Sequence, residues 1–366
     1  MARLPVLDNA VPAGTPSIHA FVIGVGHYTS GLPALDAAAP SALAFADWLR
    51  KEQALPGLVL GSIDVLASQP SGAPVSWEGK DLDPPTIKNV QEAVDEWHAR
   101  LGGAPESLGV FYFCGHGVET GGFRSLLTAD VDPTSKTDPF RNAVAFEEFV
   151  DGMDGCGGRQ QLYVLDACRE LPPGFAKWDD GVPLGQPLIR VNFAQRAKLT
   201  SRVYAVLDAT SSTQKAWAGP KGRGWFTDAL LTVLEGAAGN NRFTASVDEY
   251  SISTRDIADT IKQLVKGDFL DPPAGPQNPL RRGEGDLDLH VPKQPIVPIL
   301  VTRKPPATNI GCQFVALKGA DQVAAHACAD ERPWRGKLPI GDYEFRNQAD
   351  SVAASVSVPS KRVELP

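Results

Sequence analysis

Short apolar runs that end abruptly in polar residues are the feature that most constrains the fold of this chain. Residues 162–165 form one such run, which turns polar at Asp166, and residues 108–114 form a second, which leads into His116. Runs of this length, rich in aromatic and β-branched residues, predict buried strands. Because open α/β sheets keep their functional sites at the carboxyl ends of the strands, both polar ends are candidate site positions.

These two strand ends carry a histidine and a cysteine, His116 and Cys168. Glycines on both sides of His116 permit unusual backbone angles and remove Cβ atoms that would keep a substrate away. The histidine stands 52 residues upstream of the cysteine. Taken alone, a cysteine is usually an inert buried thiol and a histidine is usually satisfied by loop hydrogen bonds. The two together favour a catalytic dyad.

Strands and amphipathic helices alternate along most of the chain. Residues 19–26 and 202–207 predict further buried strands, and the spacing of Ile87, Val90, Val94, Trp97 and Leu101 predicts a helix with one apolar face. A second helix is predicted at residues 226–234 from the same kind of spacing. This alternation indicates a mainly parallel sheet with helices on both faces.

The run Asp166-Ala-Cys-Arg, placed behind Gly115-His-Gly117, resembles the nucleophile and histidine motifs of the caspase-like cysteine peptidases, the clan of caspases, paracaspases and metacaspases. The segment from Gly224 and the run Gln277-Asn-Pro279 extend the resemblance over about residues 18–291. It implies an α/β fold, a three-layer α/β/α sandwich around a mainly parallel six-stranded sheet. Many relatives carry Asp-Ala early in the first helix, where this chain has Ser41-Ala42.

The domain organisation follows from changes in composition. Residues 1–17 contain several prolines and a glycine and predict an N-terminal arm, and residues 18–291 form the predicted caspase-like peptidase domain. Beyond Pro292, prolines separate short β-prone runs. Residues 296–366 therefore predict a small all-β domain whose role the sequence does not identify.

The resemblance also implies the roles of the site residues. His116 would be the base, Cys168 the nucleophile, and the backbone N–H groups of Gly117 and Cys168 the donors to the oxyanion. In this clan the residue two before the nucleophile helps to line the S1 pocket, and an acidic residue there favours Arg or Lys before the scissile bond. That residue is Asp166 here. Asp36 is a second S1 candidate, Asp208 is a weaker one, and the alternative is that Asp166 only caps a turn.

Composition limits the partners and the setting. A net charge of −8 without a local Lys/Arg cluster argues against nucleic acid as the partner, and no apolar run approaches the roughly 20 residues of a membrane span. We expect no signal peptide, and five scattered cysteines suit a reducing cytoplasm. Cys114, His116, Cys156 and Cys168 lack the spacing of zinc ligands. We therefore expect no metal and no cofactor. The resemblance implies a polypeptide substrate.

The sequence thus predicts a cysteine endopeptidase that cleaves after Arg or Lys. By resemblance, its role would be regulatory, such as activating a partner effector in bacterial defence or cell death. Two alternatives stay open: a catalytically silent scaffold of the same fold, and a transpeptidase or ligase. The proline- and glycine-rich stretch 170–201 follows the nucleophile, holds basic residues and predicts an exposed segment open to self-cleavage.

Overall fold

A computed structural model of the chain describes residues 5–53, 55–169, 185–191, 202–243 and 248–366. Most of the stretch 170–201, predicted as a self-cleavage segment, lies outside the described residues. The chain divides into two compact units, unit 1 with Met1–Asp228 and Pro273–Leu287, and unit 2 with Ala229–Pro272 and Asp288–Pro366. The boundary between 18–291 and 296–366 stays a prediction from the sequence.

The strands and helices of the described residues are numbered in chain order. The first half contains β1 (Leu7–Asp8), β2 (Ser17–Val25), α1 (Ala38–Lys51), β3 (Val59–Ser68), β4 (Val75–Trp77), β5 (Lys80–Leu82), α2 (Ile87–Leu101), β6 (Leu108–Gly115), β7 (Gly117–Thr120), β8 (Phe123–Leu127), β9 (Ala143–Ala145), α3 (Phe146–Gly152) and β10 (Gln160–Ala167). The second half contains β11 (Val203–Asp208), α4 (Trp225–Leu234), β12 (Gly239–Phe243), β13 (Asp248–Ser253), α5 (Thr254–Lys266), β14 (Leu280–Arg282), β15 (Asp288–His290), β16 (Ile296–Arg303), β17 (Gln313–Lys318), β18 (Asp321–Ala327), β19 (Trp334–Pro339), β20 (Gly341–Arg346), β21 (Ser351–Val356) and β22 (Lys361–Leu365).

The main sheet of unit 1 has the strand order β1-β3-β2-β6-β10-β11-β14. Its five central strands are parallel, and β1 and β14 pair antiparallel at the two edges. The predicted mainly parallel sheet is confirmed. The predicted count of six strands was one too low, because residues of the arm form the two-residue strand β1, too short to show an alternating pattern in the sequence.

Helices cover both faces of this sheet, as the contacts of the central strand β6 illustrate. Consecutive side chains of a strand point to opposite faces. On one face the Phe111 ring centroid lies 5.2 Å from that of Phe149 in α3, and on the other Tyr112 stacks on Phe45 of α1 at 4.7 Å. The predicted apolar face of α2 is buried on the Phe111 side. The three-layer α/β/α architecture follows.

A small three-stranded sheet of β7, β8 and β9 continues directly from β6. Gly117 pairs with Leu126 across β7 and β8. His116 is the one residue between β6 and β7, so it lies at the corner where the chain leaves the main sheet.

Unit 2 contains a three-stranded sheet of β12, β13 and β15, the helix α5, and the C-terminal β-strands. Residues 296–366 form two sheets, with orders β19-β16-β22 and β18-β17-β20-β21. Apolar side chains of both sheets share one core, which includes Ile299, Phe314, Phe345 and Val363. The all-β character predicted for this region is confirmed.

Candidate active site

The pairing register of the main sheet places the two predicted catalytic residues at neighbouring strand ends. In the parallel pair β6 and β10, Asp166 lies opposite Cys114 and Ala167 opposite Gly115. His116 and Cys168 are the next residue of each strand. The two loops that follow these strands also approach each other closely. A Cβ atom built on Gly117 would lie only 2.6 Å from the carbonyl oxygen of Cys168.

The contacts of His116 define which of its ring nitrogens can act as a base. Its Nε2 lies 2.8 Å from the carbonyl oxygen of Pro33, which can only accept a hydrogen bond. Nε2 therefore carries the hydrogen, and Nδ1 of the neutral ring has the free lone pair. The backbone N–H of His116 donates to the Tyr28 hydroxyl at 2.7 Å, and burial lowers the pKa of the imidazole, with the Pro33 hydrogen bond opposing the shift.

Cys168 is half-buried under a segment that follows β11, residues 210–217. The backbone N–H of Ala216 lies 3.3 Å from the Cys168 sulfur, and the N–H of Arg169 donates to the carbonyl of Gln214 at 2.9 Å. The same segment is attached to the predicted Gln277 motif, since Trp217 N–H donates to Gln277 Oε1 at 2.9 Å. The loop that follows β11, residues 210–217, thus forms one wall of the site.

Asp166 is buried, with 3% of its surface exposed. Its Oδ2 accepts hydrogen bonds from the backbone N–H of Thr227 at 3.1 Å and from the Thr227 hydroxyl at 2.6 Å. Thr227 lies in the first turn of α4, where backbone N–H groups lack partners within the helix. Burial raises the pKa of Asp166 to about 6, and the Thr227 bonds oppose that rise.

Ser41 occupies the position where many relatives carry an aspartate. It is fully buried, donates to the carbonyl of Ala37 at 2.7 Å, and accepts from the backbone N–H of Gly224 at 2.8 Å. A Cβ atom on Gly224 would lie 2.1 Å from Asp166 Oδ2, so any other residue there would displace the Asp166 carboxyl group. The Tyr112 hydroxyl completes this group through a 2.6 Å hydrogen bond with Thr227 Oγ1. We call Ser41, Tyr112, Asp166, Gly224 and Thr227 the Asp166 cluster.

The other two S1 candidates lie elsewhere. Asp36 is exposed in the loop before α1, and none of the described contacts joins it to Asp166. Asp208 ends β11 and is buried in ion pairs with Arg124 and Arg282, the second at 3.0 Å. Asp208 is thus already neutralised, whereas the assignment of Asp166 and Asp36 to an S1 pocket stays a prediction.

Four charged side chains form what we call the Asp208 cluster: Arg124, Glu147, Asp208 and Arg282. Arg124 pairs with Glu147 at 2.9 Å as well as with Asp208, and Arg282 pairs with Glu147 at 3.2 Å. Two positive and two negative charges therefore balance. Burial raises the pKa of Asp208, and the neighbouring guanidinium groups of Arg124 and Arg169 oppose that shift.

An ion pair that the sequence did not predict connects the histidine and cysteine loops. Arg169, next to the nucleophile, pairs with Glu119 of β7. Glu119 also accepts from the Ser212 hydroxyl at 2.7 Å, and Arg169 Nη1 donates to the carbonyl of Thr210 at 3.2 Å. The sequence motif Asp-Ala-Cys-Arg contains Arg169, but nothing in the sequence indicated that Glu119 would be its partner.

The remaining cysteines of unit 1 are buried thiols. Burial raises the pKa of Cys114, and it raises the pKa of Cys156 to about 11. Across the described part of the chain, no group of three or more His, Cys, Asp or Glu side chains is arranged to hold a metal ion. Within the same residues, no helix has the length and apolar character needed to cross a membrane.

Comparison with known proteins identifies the class. The sequence model of the caspase domain matches residues 17–268. Because this match covers most of the chain and agrees with the observed sheet, the chain belongs to the caspase-domain peptidase family. The assignment of His116 and Cys168 as its catalytic residues stays a prediction from the sequence motifs.

Two curated relatives are bacterial. The uncharacterized protein y4kE of Sinorhizobium fredii is 30% identical over 237 residues, which cover 64% of this chain and 65% of that protein. A probable protease of a Desulfuromonadales bacterium is 25% identical over 241 residues, which cover 64% of this chain and 28% of that protein. The match thus spans less than two thirds of either relative.

Among solved structures, the crystal structure of caspase-1 from Spodoptera frugiperda is similar at 13% identity with a TM-score of 0.41. The likeness covers 80% of this chain and 98% of that one. A score this low carries no conclusion about function.

Proposed function

We propose that this protein is a cysteine endopeptidase in which His116 and Cys168 form the catalytic dyad. The observation that carries the proposal is the register of β6 and β10, which puts each residue one position past a paired strand end. Membership of the caspase-domain family supports the reaction class. The contact of Gly117 with the Cys168 carbonyl supports a close approach of the two loops.

The contacts of His116 suggest the path of the proton. With Nε2–H donated to Pro33, Nδ1 accepts the proton of the Cys168 thiol, and the lowered pKa of His116 keeps the ring neutral and ready to do so. The thiolate attacks the peptide carbonyl carbon, and the N–H groups of Gly117 and Cys168 stabilise the oxyanion. The imidazolium then protonates the leaving amine, and water hydrolyses the thioester.

For the residue before the scissile bond, we propose Arg or Lys. Asp166 is a buried carboxyl group whose described hydrogen bonds come from a hydroxyl and an amide, and no described side chain forms an ion pair with it. A buried carboxylate is costly to leave unpaired, so a cationic side chain would bind it and an acidic one would be repelled. Asp36 is the second, exposed candidate. The competing interpretation is that Asp166 serves only to cap α4 through Thr227.

The broader role is also a proposal. The resemblance suggests a regulatory peptidase in the cytoplasm that activates an effector in bacterial defence or cell death, and a bacterial relative described as a probable protease supports a bacterial setting. The proposed partner is a polypeptide and not nucleic acid, consistent with the net charge of −8.

The test compares the purified chain with Cys168→Ala and His116→Ala on a library of fluorogenic peptides. We expect each substitution to abolish cleavage while circular dichroism stays unchanged, and a thiol-directed inhibitor to label Cys168 ahead of the other four cysteines. Cys328→Ala, in unit 2, is the matched control and should keep full activity. Activity that survives Cys168→Ala would refute the dyad. A folded chain without cleavage would favour the scaffold, and ligated products from an ester and an added amine would favour the ligase.

A further inference from the structure

Two cysteines of unit 2 lie directly opposite each other where β17 and β18 come together. Gln313 pairs with Ala327 in this antiparallel ladder, so the preceding Cys312 faces the following Cys328. The backbone N–H of Cys328 donates to the carbonyl of Cys312 at 2.8 Å. Directly opposed residues on one face have Cβ atoms about 4.5–5.5 Å apart, so the two backbones would have to approach by up to about 1 Å to reach the roughly 3.5–4.5 Å that a disulfide spans.

Directly opposed residues of an antiparallel pair point to the same face of the sheet, and a local irregularity lies beside this pair. Gly311 N–H donates to the Cys328 carbonyl at 3.0 Å, so Gly311 and Cys312 together oppose one residue, the arrangement of a β-bulge. Gly311 has φ +75°, which glycine adopts without strain. Both sulfur-bearing side chains are buried in the same apolar core, with 7% and 5% of their surfaces exposed.

Cys312 and Cys328 are both free thiols in this structure. The Cys312 sulfur donates to the Thr308 carbonyl at 3.1 Å, and the Arg303 guanidinium lies 3.8 Å from it. Burial raises the pKa of Cys328, and the neighbouring Cys312 contributes to the same shift.

We propose that Cys312 and Cys328 are an oxidative modification site, at which a peroxide joins them in a disulfide bond. Hydrogen peroxide oxidises the thiol of Cys312 to a sulfenic acid with release of one water molecule. The Cys328 thiol then attacks that sulfur, the S–O bond breaks, the S–S bond forms, and a second water molecule leaves. Two thiols and one peroxide thus give one disulfide and two waters.

The bond would have a defined structural effect. β18 is the edge strand of its sheet and pairs only with β17 among the described strands. Its side chains are largely exposed, and Val323 has 46% of its surface in contact with solvent. Among the described residues, β18 is attached to the sheet by its backbone hydrogen bonds to β17 and by few buried side chains. The disulfide would add a covalent link at the open end of the hairpin and restrict its local opening.

The experiment uses full-length Cys168→Ala protein, so that the proposed nucleophile cannot compete for the oxidant. After treatment with hydrogen peroxide and blocking of remaining thiols, we expect a peptide pair joined through Cys312 and Cys328, which dithiothreitol separates. Hydrogen exchange of the β18 amides should slow about tenfold in the oxidised protein and return on reduction. This second comparison needs no substitution at either cysteine.

Cys312→Ala and Cys328→Ala should each remove both effects, whereas Cys156→Ala, a buried thiol of unit 1, should remove neither. Melting of each reduced variant checks that it is folded. Sulfinic acid at either cysteine without a joined peptide would refute the proposal. So would a disulfide that links separate molecules, or a joined peptide without any change in β18 exchange, since the bond would then have no effect on the edge strand.

Discussion

Two buried polar clusters lie at the same edge of the main sheet, on its opposite faces, and they are neutralised in different ways. Asp208 lies opposite Leu165 in the pair of β10 and β11, so Asp166, the next residue of β10, points to the other face. In the Asp208 cluster two guanidinium groups balance two carboxylates. In the Asp166 cluster the carboxyl group meets only hydroxyl and amide donors among the described residues.

The two clusters therefore differ in their balance of charge. A buried charge is stabilised by a partner of opposite sign, and the Asp208 cluster has its partners within the chain. Burial raises the pKa of Asp166 to about 6 and also raises the pKa of Asp208, so the two carboxyl groups differ in their partners and not in the direction of the shift. Under the S1 proposal, a cationic side chain of the substrate would supply the counter-charge that the Asp166 cluster lacks among the described residues.

The largest effect is expected from removing a charge of the Asp208 cluster. Arg124→Met leaves Asp208 and Glu147 with the half-exposed Arg282 as their remaining partner. Breaking a buried ion pair from one side costs about 3–5 kcal/mol of the free energy of unfolding, measured by denaturant titration. Arg124→Met with Asp208→Leu restores the charge balance and should recover part of that loss. A loss under about 1 kcal/mol would show that the cluster is structurally dispensable.

The second prediction concerns how the free energy of unfolding changes with pH because of Asp166. The pKa of Asp166 is raised in the folded chain from 3.8 to about 6, so its stabilising effect is greatest below pH 3.8 and is lost as the pH rises through 6. Relative to Asp166→Asn, which still accepts from Thr227, the wild type should therefore lose up to about 3 kcal/mol of unfolding free energy between about pH 4 and pH 7. Parallel curves for the two proteins would mean that Asp166 is already paired.

The third prediction concerns specificity. With fluorogenic peptides that differ only in P1, we expect rates for Arg to exceed those for Asp by at least the tenfold that about 1.4 kcal/mol gives. Asp166→Asn should reduce this ratio, whereas Asp36→Asn gives the matched comparison for the exposed candidate. A preference for Asp or Leu would contradict the S1 assignment and leave the dyad intact.

The smallest effect is expected at the pair that joins the histidine and cysteine loops. Glu119→Gln removes the charge opposite Arg169 and keeps a side chain able to accept from Ser212. If the pair positions Cys168, kcat should fall about fivefold with little change in KM, because orientation affects the chemical step. Glu119→Asp should recover part of the rate. An increase in KM alone would assign the pair to substrate binding.

Much of the scaffold could be predicted because it depends on local patterns. The apolar spacing of Val90, Val94 and Trp97 identified α2 and its buried face, and the apolar runs ending at His116 and Cys168 identified the central strands. Periodicity reports which face of an element is buried. It missed β1, whose two residues are too few to carry a pattern.

The partners of the site residues could not be predicted, because they come from distant parts of the chain. Ser41 meets Gly224 across 183 positions, and Arg124 meets Asp208 across 84. The sequence marked Asp166 as a specificity residue from resemblance, yet nothing in it indicated that Thr227, 61 positions away, would bind the carboxyl group. Such pairings are fixed by how the layers pack and not by local propensity.

Gly117 lies where the histidine and cysteine loops approach each other most closely among the contacts described above. A single methyl group at this position would lie 2.6 Å from the Cys168 carbonyl oxygen and 3.2 Å from the Ala167 side chain, so the loops would have to part. A substitution of Gly117 during evolution would therefore disrupt the proposed dyad even though His116 and Cys168 were unchanged. A lineage that substitutes Gly117 would keep an apparently complete histidine and cysteine while its geometry had already failed.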